Sequence, residues 1–295
     1  MKTGIIFSIL FTIMAVGSFA AEGNTFTYKV GKIEVTLLVE TRGEGRSTVL
    51  VNPDQALLQR YLPGGTYKSE TNTFLVKTPD KTILVDTGFG TTLFDNLKSL
   101  GVSPDKIDAV LITHMHGDHI GGLQKDGKAL FPKAKVYLAA KEKDYWTNPD
   151  TIAKLPENQR RSFLAAVAAL APYGNNVQTF TPGELGAQIQ DLIPGIKPIA
   201  AYGHTPGHTM FMVNSEGKQL LIWADLVHVQ DIQIPVPGQS VTYDSDPAAA
   251  ANIRTKVLEY VSRNSIPIAG MHLQYPGIAN IKAAGGGSYS LTPVQ

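Results

Sequence analysis

Thr113-His114-Met115-His116-Gly117-Asp118-His119-Ile120-Gly121-Gly122 follows directly on the apolar run Ala109 to Ile112. That run predicts a buried strand, so the histidines begin where the strand ends. Side chains two apart on extended backbone point the same way, which lets His114 and His116 grip one cation. Gly117 then lets the chain turn back and bring Asp118 and His119 round to a second. A single buried histidine is more often a satisfied core residue than a ligand. Three of the seven histidines and an aspartate fall within six residues here, and they cannot all be that. Four ionisable groups packed at a strand end cost several kcal/mol in desolvation unless a cation neutralises them.

The segments around this stretch alternate between strand and helix patterns. Phe26 to Val30 and Ile33 to Val39 flank Gly31-Lys32 and predict a strand pair; Asn72 to Lys77 and Thr82 to Val85 predict another across Thr78-Pro79-Asp80. Between them, residues 41–68 carry Gly64-Gly65 and a short helical pattern after Pro53, and are expected to leave the sheet as a lid or a homodimer contact. Leu93, Phe94, Leu97 and Leu100 recur at helical spacing and stop at Gly101. Further on, a strand is predicted at Lys135 to Leu138, a helix near Lys141 to Trp146, and an Ala-rich helix from Asn158 to Ala171. Strands follow at Pro198 to Ala201, Thr209 to Asn214, Gln219 to Trp223 and Ile266 to Ala269. Before the last of these, Asp246 caps a helix with Pro247 in its first turn and Ala250, Ile253, Val257 and Val261 facing inward. The Pro/Gly-rich stretch Ile234 to Ser240 reads as an active-site loop and Gly285 to Ser288 as a surface turn. Two runs of short antiparallel strands, each with helices for an outer face, predict an α/β protein of two packed sheets between helical layers, with no linker dividing it.

Composition narrows the function. A chain of 295 residues, 43% hydrophobic and 17% charged, can bury a sizeable core. Lys and Arg (26) nearly balance Asp and Glu (25), so no overall field favours nucleic acid. At the N-terminus, Lys2, the apolar run Ile5 to Val16 and Ser18-Phe19-Ala20 predict a signal segment over residues 1–20, with the mature domain over 21–295. The run is shorter than the roughly 20 residues that cross a bilayer, so cleavage rather than a membrane anchor is expected, with a periplasmic or secreted product. The absence of cysteine rules out disulfides and thiolate ligands.

The motif at 114–119 resembles that of the metallo-β-lactamase superfamily, His-x-His-x-Asp-His followed downstream by His, Asp and His. The resemblance extends to Leu84-Val85-Asp86-Thr87-Gly88, Gly203-His204-Thr205-Pro206-Gly207-His208, Trp223-Ala224-Asp225 and Met271-His272. It implies a four-layer αββα sandwich. It further implies one metal on His114, His116 and His204, another on Asp118, His119 and His272, and Asp225 between them. Asp86 and His208 would hold ligands or loops in place, although a turn cap remains open for Asp86.

Two divalent ions, zinc by ligand type, with manganese, iron, cobalt or nickel also accommodated, would share a hydroxide that attacks a small-molecule substrate. Asp118, Asp225 and His228 then count as catalytic groups. Within the superfamily, the missing cysteine departs from β-lactamases with a Cys ligand, and Ile120 from the class with a further histidine there. Ile112-Thr113-His114-Met115-His116, Lys141-Glu142-Lys143-Asp144-Tyr145-Trp146 and His272-Leu273-Gln274-Tyr275-Pro276-Gly277 most resemble methyl parathion hydrolase and its lactonase and arylesterase relatives. This likeness implies cleavage of lactones, aryl esters or phosphotriesters, and an aromatic pocket of Phe89, Trp146 and Phe163, for which plain core packing is the competing reading. His228 stands where acyl-homoserine lactonases carry a tyrosine against the substrate carbonyl; a histidine there can donate a hydrogen bond or protonate a leaving group. A β-lactamase with only histidine and aspartate ligands, a mononuclear-iron sulfur dioxygenase and a non-catalytic metal binder are the alternatives.

Overall fold

In the computed structural model, which describes residues 23–295, a hairpin of β1 (Thr25–Val30) and β2 (Ile33–Arg46) comes first. The signal segment expected over residues 1–20 lies outside the described residues. Then come α1 (Gln55–Tyr61), β3 (Thr66–Lys77), β4 (Thr82–Val85), α2 (Leu93–Ser99), β5 (Ala109–Leu111) and the one-turn helix α3 (Gly117–Ile120). The small hairpin of β6 (Gln124–Lys125) and β7 (Lys128–Ala129) precedes β8 (Lys135–Ala139), the helices α4 (Ala140–Thr147), α5 (Pro149–Lys154) and α6 (Glu157–Leu170), and β9 (Val177–Phe180). The second half runs through β10 (Ile196–Ala200), β11 (Thr209–Ser215), β12 (Lys218–Ile222), α7 (Gln230–Gln233), α8 (Pro247–Asn264), β13 (Ile268–Ala269), β14 (Ile278–Gly285) and β15 (Ser288–Pro293).

The strands form two large sheets, one ordered β1-β2-β3-β4-β5-β8-β9 and the other β10-β11-β12-β13-β14-β15. Period-two alternation sorts their side chains. On β4, Ile83 and Val85 face the second sheet and meet Phe211 and Ile222, while Leu84 faces the helices with Leu93 and Leu97. On the far side, Val257, Leu258 and Val261 of α8 pack on Met210, Met212 and Leu221. The layers are therefore helices, sheet, sheet, helices, the αββα sandwich of the α/β class. No helix among the described residues is long and apolar enough to cross a membrane.

Two details differ from the sequence reading. The strands are not all antiparallel: β4 with β5, β5 with β8, β8 with β9, and β12 with β13 pair in parallel. Helical crossovers cover the central ones on their outer face, so β4, β5 and β13 are buried on both sides and lose the polar alternation that marks an open strand. The excursion is also shorter than 41–68, because β2 and β3 stay paired out to Arg46 and Thr66. That outer ribbon is partly solvated, so it shows no apolar pattern. The residues left between the strands pack as a wall: the N–H of Val51 reaches the carbonyl of Ser240, Thr242 reaches Val49, and Leu50 and Leu62 sit against Ile232 and Val241.

The parallel pairs set the location of the site. Because β4 runs with β5 and β12 with β13, four strand ends open at one edge of the sandwich. Backbone hydrogen bonds join the sheets there, from Thr209 N–H to Thr113 O (3.0 Å) and from Asn72 N–H to Met271 O (2.8 Å).

Candidate metal centre

All seven histidines of the chain gather at this edge. His114 and His116 follow β5, and the turn into α3 at Gly117 carries Asp118 and His119. The loop between β10 and β11 supplies His204 and His208, the end of β12 supplies Asp225, and His272 follows β13. The His204 loop is held by close backbone contact at two glycines. Gly203 has φ +137°, and a Cβ on it would meet Ala250 N at 2.3 Å; a Cβ on Gly207 would meet Glu142 N at 2.3 Å.

Each of four histidines spends Nδ1 on the protein and turns Nε2 inward. His114 Nδ1 meets Thr113 Oγ1 at 3.1 Å, while that hydroxyl donates to Asp86 Oδ2 at 2.7 Å. His119 Nδ1 meets Asp86 Oδ2 at 2.7 Å, His204 Nδ1 meets Asp244 Oδ1 at 2.9 Å, and His272 Nδ1 meets Glu70 O at 2.9 Å. With those N–H bonds made, the neutral rings carry lone pairs on the inward nitrogens, where a cation can take the place of a proton. His116 differs, presenting Nδ1 at 3.1 Å from His114 Nε2 and 3.0 Å from His204 Nε2. Two groups of side chains result: His114, His116, His204 and Asp225, and Asp118, His119, Asp225 and His272, each with ligand atoms within 4.8 Å of one another. Asp225 belongs to both. Its Oδ2 lies 3.5 Å from His114 Nε2 and 3.4 Å from His204 Nε2, and its Oδ1 lies 3.2 Å from His119 Nε2.

The donor set fits divalent ions. His119 Nε2 and Asp225 Oδ1 are buried without a hydrogen-bond partner, which is costly unless something else occupies the gap between them. The electrostatics agree. Burial works against charge on His272, yet Asp225 and Asp118 outweigh it and push the ring up to about 10. His119 is also held above its ordinary value, by Asp225, Asp118 and Asp86 against burial. Burial pushes His116 down to about 4, only partly offset by Asp225 and Asp118. Asp225 stays well below the carboxylate range despite burial, because His119, His272 and His228 surround it. Nitrogen and oxygen donors alone, with no thiolate, suit zinc and its first-row neighbours.

Of the residues expected to support ligands, Asp86 touches Thr113 and His119 as described. It takes a left-handed backbone at φ 60° to reach them. His208 donates from Nδ1 to Ala201 O at 3.0 Å and accepts the N–H of Asp225 at Nε2, 3.2 Å away. His228 sits with Nε2 2.9 Å from Asp225 Oδ2, its ring stacked 4.7 Å from His272. Its backbone N–H donates to Gln233 Oε1, and its Nδ1 is buried without a partner.

A cavity of about 450 Å³ opens over Asp118, Asp225, His228 and His272, walled by Thr41, Tyr67, Ser69, Thr71, Phe89 and Tyr243. Phe89 stands at it half exposed. Trp146 and Phe163 lie instead in the core between sheet and helices, rings 4.5 Å apart. Trp146 reaches the site only from behind, its ring 5.5 Å edge-on to His116 and its Nε1–H donating to Glu142 at 2.7 Å. An α4 that packs on α6 points both rings inward, which the i to i+4 spacing of these helices did not reveal. A larger groove of about 680 Å³ runs along α8 past Tyr202 and Lys256 and holds none of the histidines.

The sequence reading missed three contributors. Glu142, wholly buried, accepts Met115 N–H (3.0 Å) at Oε1, and Thr205 Oγ1–H and Gly207 N–H (both 2.8 Å) at Oε2, tying the 114–116 segment to the 204–208 loop. Asp244 backs His204, and the Glu70 carbonyl backs His272. A carbonyl carries no side-chain signal, and Glu142 is hidden among Lys141, Lys143 and Asp144 on a charged helix of which only Glu142 and Trp146 are buried.

Residues 67–263 match the metallo-beta-lactamase superfamily. The structure of AbOPH, a hydrolase in the beta-lactamase superfamily, is similar over 92% of this chain and 98% of its own, with 31% identity and a TM-score of 0.81. AidC, a dizinc quorum-quenching lactonase solved with an N-hexanoyl-homoserine product, is similar over the same shares with 25% identity and a TM-score of 0.80. Metallo-beta-lactamase domain-containing protein 1 of Xenopus laevis is 30% identical over 136 residues, 45% of this chain and 52% of that protein. The chain spans about half or less of the length of the curated relatives it matches first.

Proposed function

The chain belongs to the metallo-beta-lactamase superfamily, and from that premise we propose that it is a two-metal hydrolase that opens lactones or cleaves aryl esters, with phosphotriesters such as methyl parathion as further substrates. The observation that carries this reading is the place of Asp225, which belongs to both ligand groups at the floor of an open cavity: its Oδ2 faces His114, His204 and His272, and its Oδ1 faces His119. Bound there, two divalent ions, zinc first by donor type, would acidify a shared water and polarise the substrate oxygen.

The chain's own residues do the rest. Asp225 and Asp118 supply the negative charge that holds cations at the cavity floor. His228 keeps Nε2 on Asp225 and leaves Nδ1 without a partner, so the imidazolium form of the ring has an N–H with which to hydrogen-bond a substrate oxygen or protonate a leaving group. Phe89 and Tyr243 offer aromatic faces at the cavity, and Tyr67, Ser69 and Thr71 offer hydroxyls. AbOPH is a hydrolase and AidC a dizinc lactonase, which supports a small lactone or ester substrate here. Export of the mature domain, read from residues 1–20, belongs to the same proposal.

The test is a pH-indicator screen of purified, metal-replete protein on homoserine lactones, dihydrocoumarin, phenyl acetate, methyl parathion and nitrocefin. Turnover of a lactone or aryl ester is expected. Turnover of nitrocefin alone would point to a β-lactamase, and oxygen uptake with a thiol-persulfide substrate to a sulfur dioxygenase; either result overturns the proposal.

A further inference from the structure

We propose that Asp244 is a positioning residue of the metal centre, a buried carboxylate that aims His204 and joins it to the loop walling the cavity. The inference rests on the two-metal reading above and assigns a residue that the motif does not contain. His204 and Asp244 are 2% and 7% exposed, and His204 Nδ1–H donates to Asp244 Oδ1 at 2.9 Å. That bond fixes the tautomer and leaves the Nε2 lone pair directed at the cluster.

The other end of Asp244 is fixed as well. Its Oδ2 accepts Val241 N–H at 3.1 Å and lies 3.8 Å from Arg254 Nη2. Arg254, 1% exposed, does not depend on Asp244 for its place. Its Nε donates to Leu226 O, one residue after Asp225, at 2.6 Å, and its Nη1 donates to Pro237 O (2.8 Å) and Gln239 O (2.7 Å). One buried cation thus braces the strand end that carries Asp225 and the loop that carries Asp244. Backbone bonds from Ser245 to His204 O and from Asp246 to Gly203 O, both 2.9 Å, close the loop onto the ligand.

The arrangement mirrors the other metal group, where Asp86 stands behind His119. Each group then has one histidine backed by a buried carboxylate. Asp244 also differs from Asp86 in its neighbour: Tyr243, half exposed, faces the cavity with its ring 5.8 Å from that of His228. Consecutive residues therefore face the cavity and the metal ligand.

The experiment compares wild type, Asp244→Ala, Asp244→Asn and Gln239→Ala. Gln239 ties the same loop to Val51 and does not touch His204. Stepwise zinc affinity is read by competition with a chromophoric chelator, with the Co(II) absorption spectrum and the thermal midpoint alongside. In Asp244→Ala one metal-binding step weakens roughly ten- to hundredfold and the other holds. Asp244→Asn falls in between in the same step, because its amide oxygen still accepts the His204 N–H. Gln239→Ala lowers the thermal midpoint and leaves both steps at wild-type strength. Unchanged affinities in Asp244→Ala, or the same step weakened in Gln239→Ala, overturn the proposal. If Asp244→Ala does not fold, Asp244→Asn decides by the same step. Wild-type protein that takes only one ion defeats the two-metal reading instead, and Asp244 is then judged on that single step.

Discussion

His208 Nε2 accepts the backbone N–H of Asp225 at 3.2 Å, while Nδ1 donates to Ala201 O. The ring therefore holds in place the one carboxylate shared by both ligand groups, without being among the ligands itself. His208→Phe keeps the ring and strands two buried backbone groups, at about 1–3 kcal/mol each. A fall in the thermal midpoint together with weaker binding of both ions is expected by calorimetry and metal titration. Loss of stability with metal binding untouched would show that His208 serves packing alone.

Glu142 is a buried carboxylate without an ion-pair partner among the described residues, stabilised by four donors: Met115 N–H, Trp146 Nε1–H, Thr205 Oγ1–H and Gly207 N–H. Burial nevertheless raises its pKa. Glu142→Ala leaves those donors unmet and is expected to destabilise the fold by at least about 3 kcal/mol. Glu142→Gln, which matches the shape but places an amide N–H against donors, loses less. Urea unfolding of the two variants checks the order, and equal losses contradict it.

Tyr173 gives the pH dependence. Its hydroxyl donates to Leu123 O at 2.6 Å, and burial pushes it up to about 12. The folded value lies above the unfolded one of about 10, so the contribution to stability is full below pH 10 and is lost as pH rises from there through 12. Tyr173→Phe should cost about 1 kcal/mol at neutral pH and decline less steeply across that window. Parallel curves for the two proteins in alkaline unfolding would contradict this account.

His228 makes a prediction about leaving groups. If its ring delivers a proton, His228→Ala loses about 10²- to 10⁴-fold in kcat on alkyl esters and lactones but little on nitrophenyl esters, whose leaving group needs no proton. A uniform loss across a leaving-group series removes that role.

Much of this site could be read from the sequence because its ligands cluster. The spacing of His114, His116, Asp118 and His119 alone points to a metal-binding cluster, and the fold brings the distant His204, Asp225 and His272 within reach of them. The layers could be read from the apolar runs of β4, β5 and β12. Strand direction could not, since Ile83-Leu84-Val85 is apolar whichever way its neighbours run. The outward extension of β2 and β3 was hidden because a solvated ribbon carries no core pattern. Asp244 and Glu142 escaped notice because a lone acid is ordinarily a surface residue, and only tertiary contact shows what it touches. Trp146 and Phe163 illustrate the converse, aromatic residues whose helix turns them into the core.

If Asp225 joins two cation sites, hydrolysis needs both of them filled. The direct measurement is stepwise zinc add-back to chelator-stripped protein, with bound metal per chain read by inductively coupled plasma mass spectrometry and homoserine lactone hydrolysis read at each step. Hydrolysis is expected to rise to its plateau as the ratio reaches about two, with Asp225→Ala staying below that ratio and inactive. Full hydrolysis in stripped protein, or in Asp225→Ala, would contradict it.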